Sequence, residues 1–278
     1  MNQIKEYLRT ILILILLTIL TQVGGIIYLI YKPFGLRLKS RAERPLKNRL
    51  IRIGVFSGIY ILCNVLIVPR IAKYFGRVNL PIISNKECRI KPANIFTVLG
   101  NRHYVKPELK ELIVNTSRYI NQKYPGTQLI YLDANFPFID GFPLLPHLSH
   151  DDGEKLDINF LYQELKTGQR LNKSPSILGY GNVEEPKKGE YDQIIACKQQ
   201  GYWQYDVLSR ITIQRKRFKF DEQANKVLID RLSRELEIGK IFIEPHLKKR
   251  LGLTSNDKVR YHGCHAVRHD DHIHIELR

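Results

Sequence analysis

Apolar and polar positions fall into two regimes along the chain. Between Arg9 and Lys32, the 22 residues TILILILLTILTQVGGIIYLIY carry no charge. As one helix they are long enough to cross a hydrocarbon core of roughly 30 Å. A second uncharged run of 17 residues, IGVFSGIYILCNVLIVP, lies between Arg52 and Arg70. It is short for a span, but its flanking arginines can snorkel. The pattern predicts two transmembrane helices, at about 10–31 and 53–69, so that residues 1–77 form a membrane hairpin. A cleaved signal peptide is disfavoured, because the first run is long, lacks an A-x-A-like site and is followed by a second apolar run.

From residue 78 the pattern changes. VNLPIISNKECRIKPAN (78–94) has the Pro/Asn/Ser punctuation of a linker leaving the membrane. Residues 107–126 place Leu109, Leu112, Ile113 and Ile120 on one helical stripe that a Pro-Gly pair terminates. TQLIYLDANFPF reads as a buried strand, and 166–206, rich in Gly, Lys, Asn and Pro, as a long insertion or lid-like loop. ITIQRKRFKF (211–220) alternates apolar and basic residues like a solvated strand face. DEQANKVLIDRLSREL is an amphipathic helix with an acidic first turn. A buried strand, IGKIFIEP, a short basic helix, HLKKRLGL, and a final strand, HIHIELR, follow. The expectation is an α+β domain over 78–278, a small and mostly antiparallel sheet with flanking helices, preceded by the two-helix transmembrane hairpin.

Charge sharpens this division. The 278 residues carry a net charge of +17. Residues 1–80 hold 13 Lys/Arg against 2 Asp/Glu, whereas the remaining 198 hold 31 against 25. The basicity therefore belongs to the hydrophobic segment, and no nucleic-acid partner is expected. The connector 32–50 carries seven Lys/Arg and one Glu. Short positive loops stay cytoplasmic. Both termini would then face away from the cytoplasm, putting the domain on the extracytoplasmic side of a bacterial inner membrane. Of four cysteines, Cys63 lies in the second run and Cys88, Cys197 and Cys264 beyond it. A disulfide is permitted there, but the odd number assigns no pair.

The candidate chemistry sits in two stretches. PHLSHDDGEKLDINF contains His150 and, seven residues on, Asp157 at the start of an apolar strand. A reversal at Asp152-Gly153 swings the imidazole back beside the carboxylate. HDDHIHIEL (269–277) supplies His272 and His274, which share a face because strand side chains alternate. One His, one Asp and a further His give three metal ligands and leave a fourth position for water, the open arrangement of catalytic zinc. His147 reads as a loop histidine capping backbone or as a partner of the site. Asp151 and Asp152 read as turn residues, and Asp133 and Asp140 as pocket-lining candidates. His103, His246, His262 and His265 have no evident partner.

H-x6-D followed by a late H-x-H resembles the zinc peptidases that include D-alanyl-D-alanine peptidases and penicillin-insensitive murein endopeptidases. IGKIFIEPHLKKRLG and VRYHGCHAVRHDDHIHIEL extend the likeness to the murein endopeptidases, over 147–160 and 222–278. The resemblance implies that His150, Asp157 and His274 bind one Zn²⁺ per chain. It places His272 beside the metal and His269 at a further active-site position. Asp271 falls where the related D-alanyl peptidases place a carboxylate base. The expected protein is a membrane-anchored zinc metallopeptidase hydrolysing peptidoglycan stem peptides, as an endopeptidase or a DD-carboxypeptidase, with no partner protein. The alternative is a metal-containing wall-binding or scaffold protein without activity.

Overall fold

The computed structural model describes residues 2–39, 45–206 and 217–278. Connector residues 40–44 and positions 211–216 of the alternating run lie outside the described residues.

The first apolar run is two helices rather than one. α1 (Asn2–Thr21) stops at Gln22, whose φ is +62°, and α2 (Gly24–Lys39) turns back along it. The Thr21 hydroxyl accepts a hydrogen bond from Gly24 N at 2.8 Å, which satisfies a free donor at the start of α2. A Cβ at Gly25 would collide with Thr18 and the Leu14 carbonyl, so glycine permits the close return. α3 (Pro45–Leu66) packs beside α2, and α4 (Val68–Tyr74) leads to the domain. Among the described residues only one helix, Leu46–Leu66, is long and apolar enough to cross a membrane, with a mean hydropathy of 1.5. The expected two-helix hairpin with a span at 10–31 is thereby corrected. The physical reason is Gln22, whose Oε1 accepts from Phe138 N of the domain at 2.8 Å. The turn is held by a partner 116 residues away. It also brings Lys5 and Arg9 beside Lys32, Arg49 and Arg52. The N-terminal residues therefore lie at the connector's end of the bundle, not at the domain's end as expected.

The domain follows as β1 (Val78–Asn79), β2 (Ile90–Pro92), α5 (Ile95–Leu99), β3 (Tyr104–Val105), α6 (Pro107–Lys123), β4 (Leu129–Tyr131) and β5 (Lys155–Asn159). Then come β6 (Tyr162–Glu164), β7 (Arg170–Leu171), α7 (Gln193–Gln199) and β8 (Phe218–Phe220). α8 (Glu222–Arg234), β9 (Ile238–Phe242), α9 (Pro245–Arg250), β10 (Val259–Arg260) and β11 (His272–Leu277) complete it. The main sheet has six strands in the order β10-β9-β11-β5-β4-β2. Its centre, β9-β11-β5-β4, is antiparallel, and both edge strands pair in parallel. Residues 78–94 are thus more than a linker, since they supply the edge strand β2.

Alternation along β5 and β11 sorts the two faces. Leu156, Ile158, Ile273 and Ile275 enter the main core, packed with Leu109, Ile113 and Ile120 of α6 and with Leu228 and Leu232 of α8. Asp157, Asn159, His272 and His274 occupy the other face. The α8 helix begins where Asp221 accepts from Ala224 N at 3.0 Å, a side-chain N-cap. The insertion at 166–206 folds over the polar face. A disulfide between Cys197 and Cys264 ties it to the loop before β11, and Cys63 and Cys88 are free.

Candidate metal centre

Register places the first pair of functional side chains. His274 and Asp157 are directly opposed across β11 and β5, so their side chains share a face. Asp157 Oδ1 lies 2.8 Å from His274 Nδ1. The loop carrying His147 and His150 returns to this pair before β5. Gly153 supplies the φ of +86° needed for the reversal, and Asp152 Oδ1 accepts from Glu154 N beside it at 2.9 Å. Two arginines, Arg77 buried and Arg102 half-buried, brace the loop. Arg77 donates to the Phe136 carbonyl, to Asp140 and, at 3.0 Å, to the Asp151 carbonyl. Arg102 donates to the Leu145 carbonyl at 2.7 Å and to Asp133 at 2.8 Å.

His150 Nδ1 donates to the Ala134 carbonyl at 2.8 Å, which turns Nε2 inward; burial opposes charging of the ring, but Asp157 beside it raises its pKa above the ordinary histidine value. That Nε2 lies 3.1 Å from His274 Nδ1 and 3.3 Å from Asp157 Oδ1. With the 2.8 Å edge between His274 and Asp157, these three atoms form a nearly equilateral triangle. Tetrahedral zinc, with bonds of about 2.0–2.1 Å, separates its ligand atoms by about 3.3 Å. A wider grouping also exists: one ligand atom each from His147, His150 and Asp157 lie within 4.8 Å of one another, all buried. This buried group is able to bind a metal ion. His147 Nδ1 sits 2.8 Å from Asp157 Oδ2, the oxygen that also accepts from Tyr180 OH at 2.7 Å. His147 therefore braces the carboxylate from outside the tighter triangle.

Burial would raise the Asp157 carboxyl, but the surrounding imidazoles of His150, His272 and His147 outweigh it and hold Asp157 well below the usual carboxylate range. Burial, helped by the neighbouring His150 and His272 rings and opposed by Asp157, pushes His274 down to about 3, so its ring is neutral. His272 behaves oppositely. Burial opposes its charging, yet Asp157 and Asp271 lift it to about 9. Its Nδ1 is hydrogen-bonded to Asp271 Oδ1, while Asp271 Oδ2 accepts from Gly181 N. Both Asp271 oxygens are thus engaged, and His272 Nε2 is buried without a hydrogen-bond partner. His269 is packed 4.9 Å from the His272 ring, and burial with those neighbouring imidazoles keeps it well below the ordinary histidine range.

A cavity of about 420 Å³ opens above the triangle, lined by His147, His150, His262, His269, His272 and His274 among others. A larger depression of about 1000 Å³ at the far edge of the sheet, around Lys240 and Glu276, holds no histidine or cysteine.

The structure thus gathers His150, Asp157, His269, Asp271, His272 and His274 in one place. Of the pocket-lining candidates, Asp133 pairs with Arg102 near His147, whereas Asp140 is mostly exposed and braces the loop through Arg77. Sequence reasoning missed Tyr180, whose only signal is the GYG turn within the insertion. It also missed His262, whose ring stacks 6.1 Å from that of His274. His147, three residues before His150, is the partner of Asp157 rather than a backbone cap. No family model matches the chain, and no curated protein matches it.

Proposed function

We propose that the chain is a membrane-anchored zinc peptidase acting on the peptide stems of peptidoglycan. The observation that carries this reading is the triangle of His150 Nε2, Asp157 Oδ1 and His274 Nδ1 below a cavity onto which His272 opens. Two imidazoles and one carboxylate suit zinc and leave a position open, and a bound metal would displace any proton from His150 Nε2. Zinc held there supplies Lewis acidity, polarising a scissile carbonyl and lowering the pKa of water to about 7.

The remaining work falls to the chain's own residues. His147 and Tyr180 orient the Asp157 carboxylate through its outer oxygen, and the Ala134 carbonyl fixes the ring of His150. His272 Nε2 is the group that faces the reacting centre. With its ring neutral it accepts the proton of the attacking water, and the imidazolium so formed stabilises the charge developing on the carbonyl oxygen before passing the proton to the leaving amine. Asp271 acts through His272 by holding Nδ1, and His269 packs behind it.

Membrane placement rests on helix Leu46–Leu66 and on the outward apolar faces of the two helices before it. Sidedness rests on the cationic end of the bundle, which belongs to the cytoplasm, and on the Cys197–Cys264 disulfide, which belongs to an oxidising compartment.

The test uses the purified full chain in detergent, loaded with zinc and given isolated cross-linked muropeptides. Chelator-sensitive release of new amino termini is expected. His272→Ala should keep its zinc yet lose turnover by roughly 100-fold or more. Asp271→Asn should lose less, on the order of 10-fold. Zinc-loaded protein that binds muropeptides without cutting them would instead establish the scaffold alternative.

A further inference from the structure

A second cavity, of about 680 Å³, lies in the helix bundle at the end away from the domain. Lys5 and Arg9 of α1, Lys32 of α2, and Arg49 and Arg52 of α3 converge on it, with Glu6 as the only carboxylate in the lining. Sixteen helical residues separate Lys5 from Thr21 near the domain, a rise of about 24 Å. By the same rise Arg49 and Arg52 lie about 26 and 21 Å from Leu66 at the end of α3, and Lys32 about 12 Å from Gly24 at the start of α2. Among the described residues none of the five is ion-paired. Lys32 instead lies 5.9 Å over the Tyr7 ring, and Arg52 Nε is buried with no hydrogen-bond partner. Five like charges gathered beside apolar helices are costly unless an anion joins them. From the cations the cavity continues onto Ile13, Leu17 and Phe56, an apolar floor pointing toward the domain.

We infer that this cavity binds an anionic phospholipid, its phosphate held by Arg49, Arg52 and Lys32 and its chain laid along Ile13 and Leu17. Arginine forks match phosphate oxygens in pairs, and basic pockets between helices at the cytoplasmic surface select acidic headgroups. A soluble phosphate would use the cations but leave the apolar floor bare. The inference rests on the membrane placement proposed above and is independent of the peptidase reading.

The test reconstitutes the full chain in phosphatidylcholine vesicles and measures the fraction of motionally restricted spin-labelled phosphatidylglycerol against spin-labelled phosphatidylcholine. Flotation of the same samples reports membrane placement separately. The parent should prefer phosphatidylglycerol by about 10-fold, and Lys32→Gln/Arg49→Gln/Arg52→Gln by about 2-fold or less. Lys47→Gln removes a charge outside the cavity and should retain the preference, whereas Arg49→Lys/Arg52→Lys keeps the charge but loses the forks and should fall between the parent and the triple variant. Equal restriction of both lipids by the parent, or an equal loss in Lys47→Gln, would overturn the site. Displacement of the labelled lipid by 1 mM inorganic phosphate, a probe concentration about a thousandfold below the 1 M standard state, would overturn the lipid assignment in favour of a soluble anion. Protein that does not float with the vesicles would overturn the inference together with the membrane placement.

Discussion

The helix bundle and the domain arrange the same residue types in opposite ways. In the bundle, Ile11, Leu12, Ile15, Leu16 and Leu20 point outward and are exposed, while unpaired cations collect at one end. In the domain, the aliphatic residues of the main sheet and of α6 and α8 form an interior core, and His150, Asp157, Asp271 and His272 are buried as well. A soluble domain pays to bury ionisable groups, so each one requires a partner. Asp157 has four imidazole neighbours and a tyrosine hydroxyl. Apolar groups turned outward in the bundle carry the proposed membrane placement, and polar groups turned inward in the domain carry the proposed metal site.

The largest effect expected of one substitution lies at the centre of that buried cluster. Asp157→Ala removes a carboxylate that four site histidines lean on, so bound zinc should fall from about one per chain to near none. Metal analysis of the purified full chain, beside far-ultraviolet circular dichroism, separates this from unfolding. The bundle should keep its helical signal, because none of its contacts reach Asp157. Full zinc retention in a folded variant would remove Asp157 from the ligand set.

What made the domain readable and the bundle misleading is the range over which each element is determined. The strands β5 and β11 and the helices α6 and α8 carry their burial pattern locally, so periodicity located them to within a few residues. Asp157 and the H-x-H pair lie on those strands, and His150 sits just before a reversal at Asp152-Gly153, so alternation and local turn chemistry together placed His150, Asp157, His272 and His274 near one another. The break at Gln22 is not local. A count of uncharged residues measures length, but the turn depends on the Phe138 amide and on close approach at Gly25. Tyr180 and Gly181 reach the site from an insertion of irregular composition, and Cys197 pairs across 67 residues. Such contacts leave no periodic trace.

That disulfide offers the next largest effect, and it should be confined to the domain. It pins α7 of the insertion to the loop that carries His262 and His265 at the cavity rim. Closing a loop of this length stabilises a fold by about 2–4 kcal/mol. Cys197→Ser/Cys264→Ser should lower the denaturant midpoint of the domain accordingly and raise protease cleavage within 166–206. The helical bundle should resist as before. An unchanged midpoint would mean that the insertion is held by its other contacts, such as Arg250 with Glu184 and Glu190.

The smallest effect belongs to the seam between the two regions. His103 is buried beside Tyr104, which itself packs against Val23, Ile27 and Tyr60 of the bundle. Burial lowers its pKa from 6.5 to about 4, with a hydrogen bond to the Thr97 carbonyl offsetting only part of the shift. The unfolded chain therefore takes up this proton first as pH falls. The stability linked to His103 is complete above pH 6.5 and declines steadily toward pH 4. Between pH 7.5 and pH 5 the loss attributable to this side chain is about 2 kcal/mol. His103→Gln cannot titrate, so its unfolding free energy should fall less steeply than the parent's over the same interval, by about that amount. Unfolding curves of both proteins in one detergent at pH 7.5, 6 and 5 measure the difference. Parallel slopes would show that His103 is protonated in the folded seam, with water or an anion reaching it between bundle and domain.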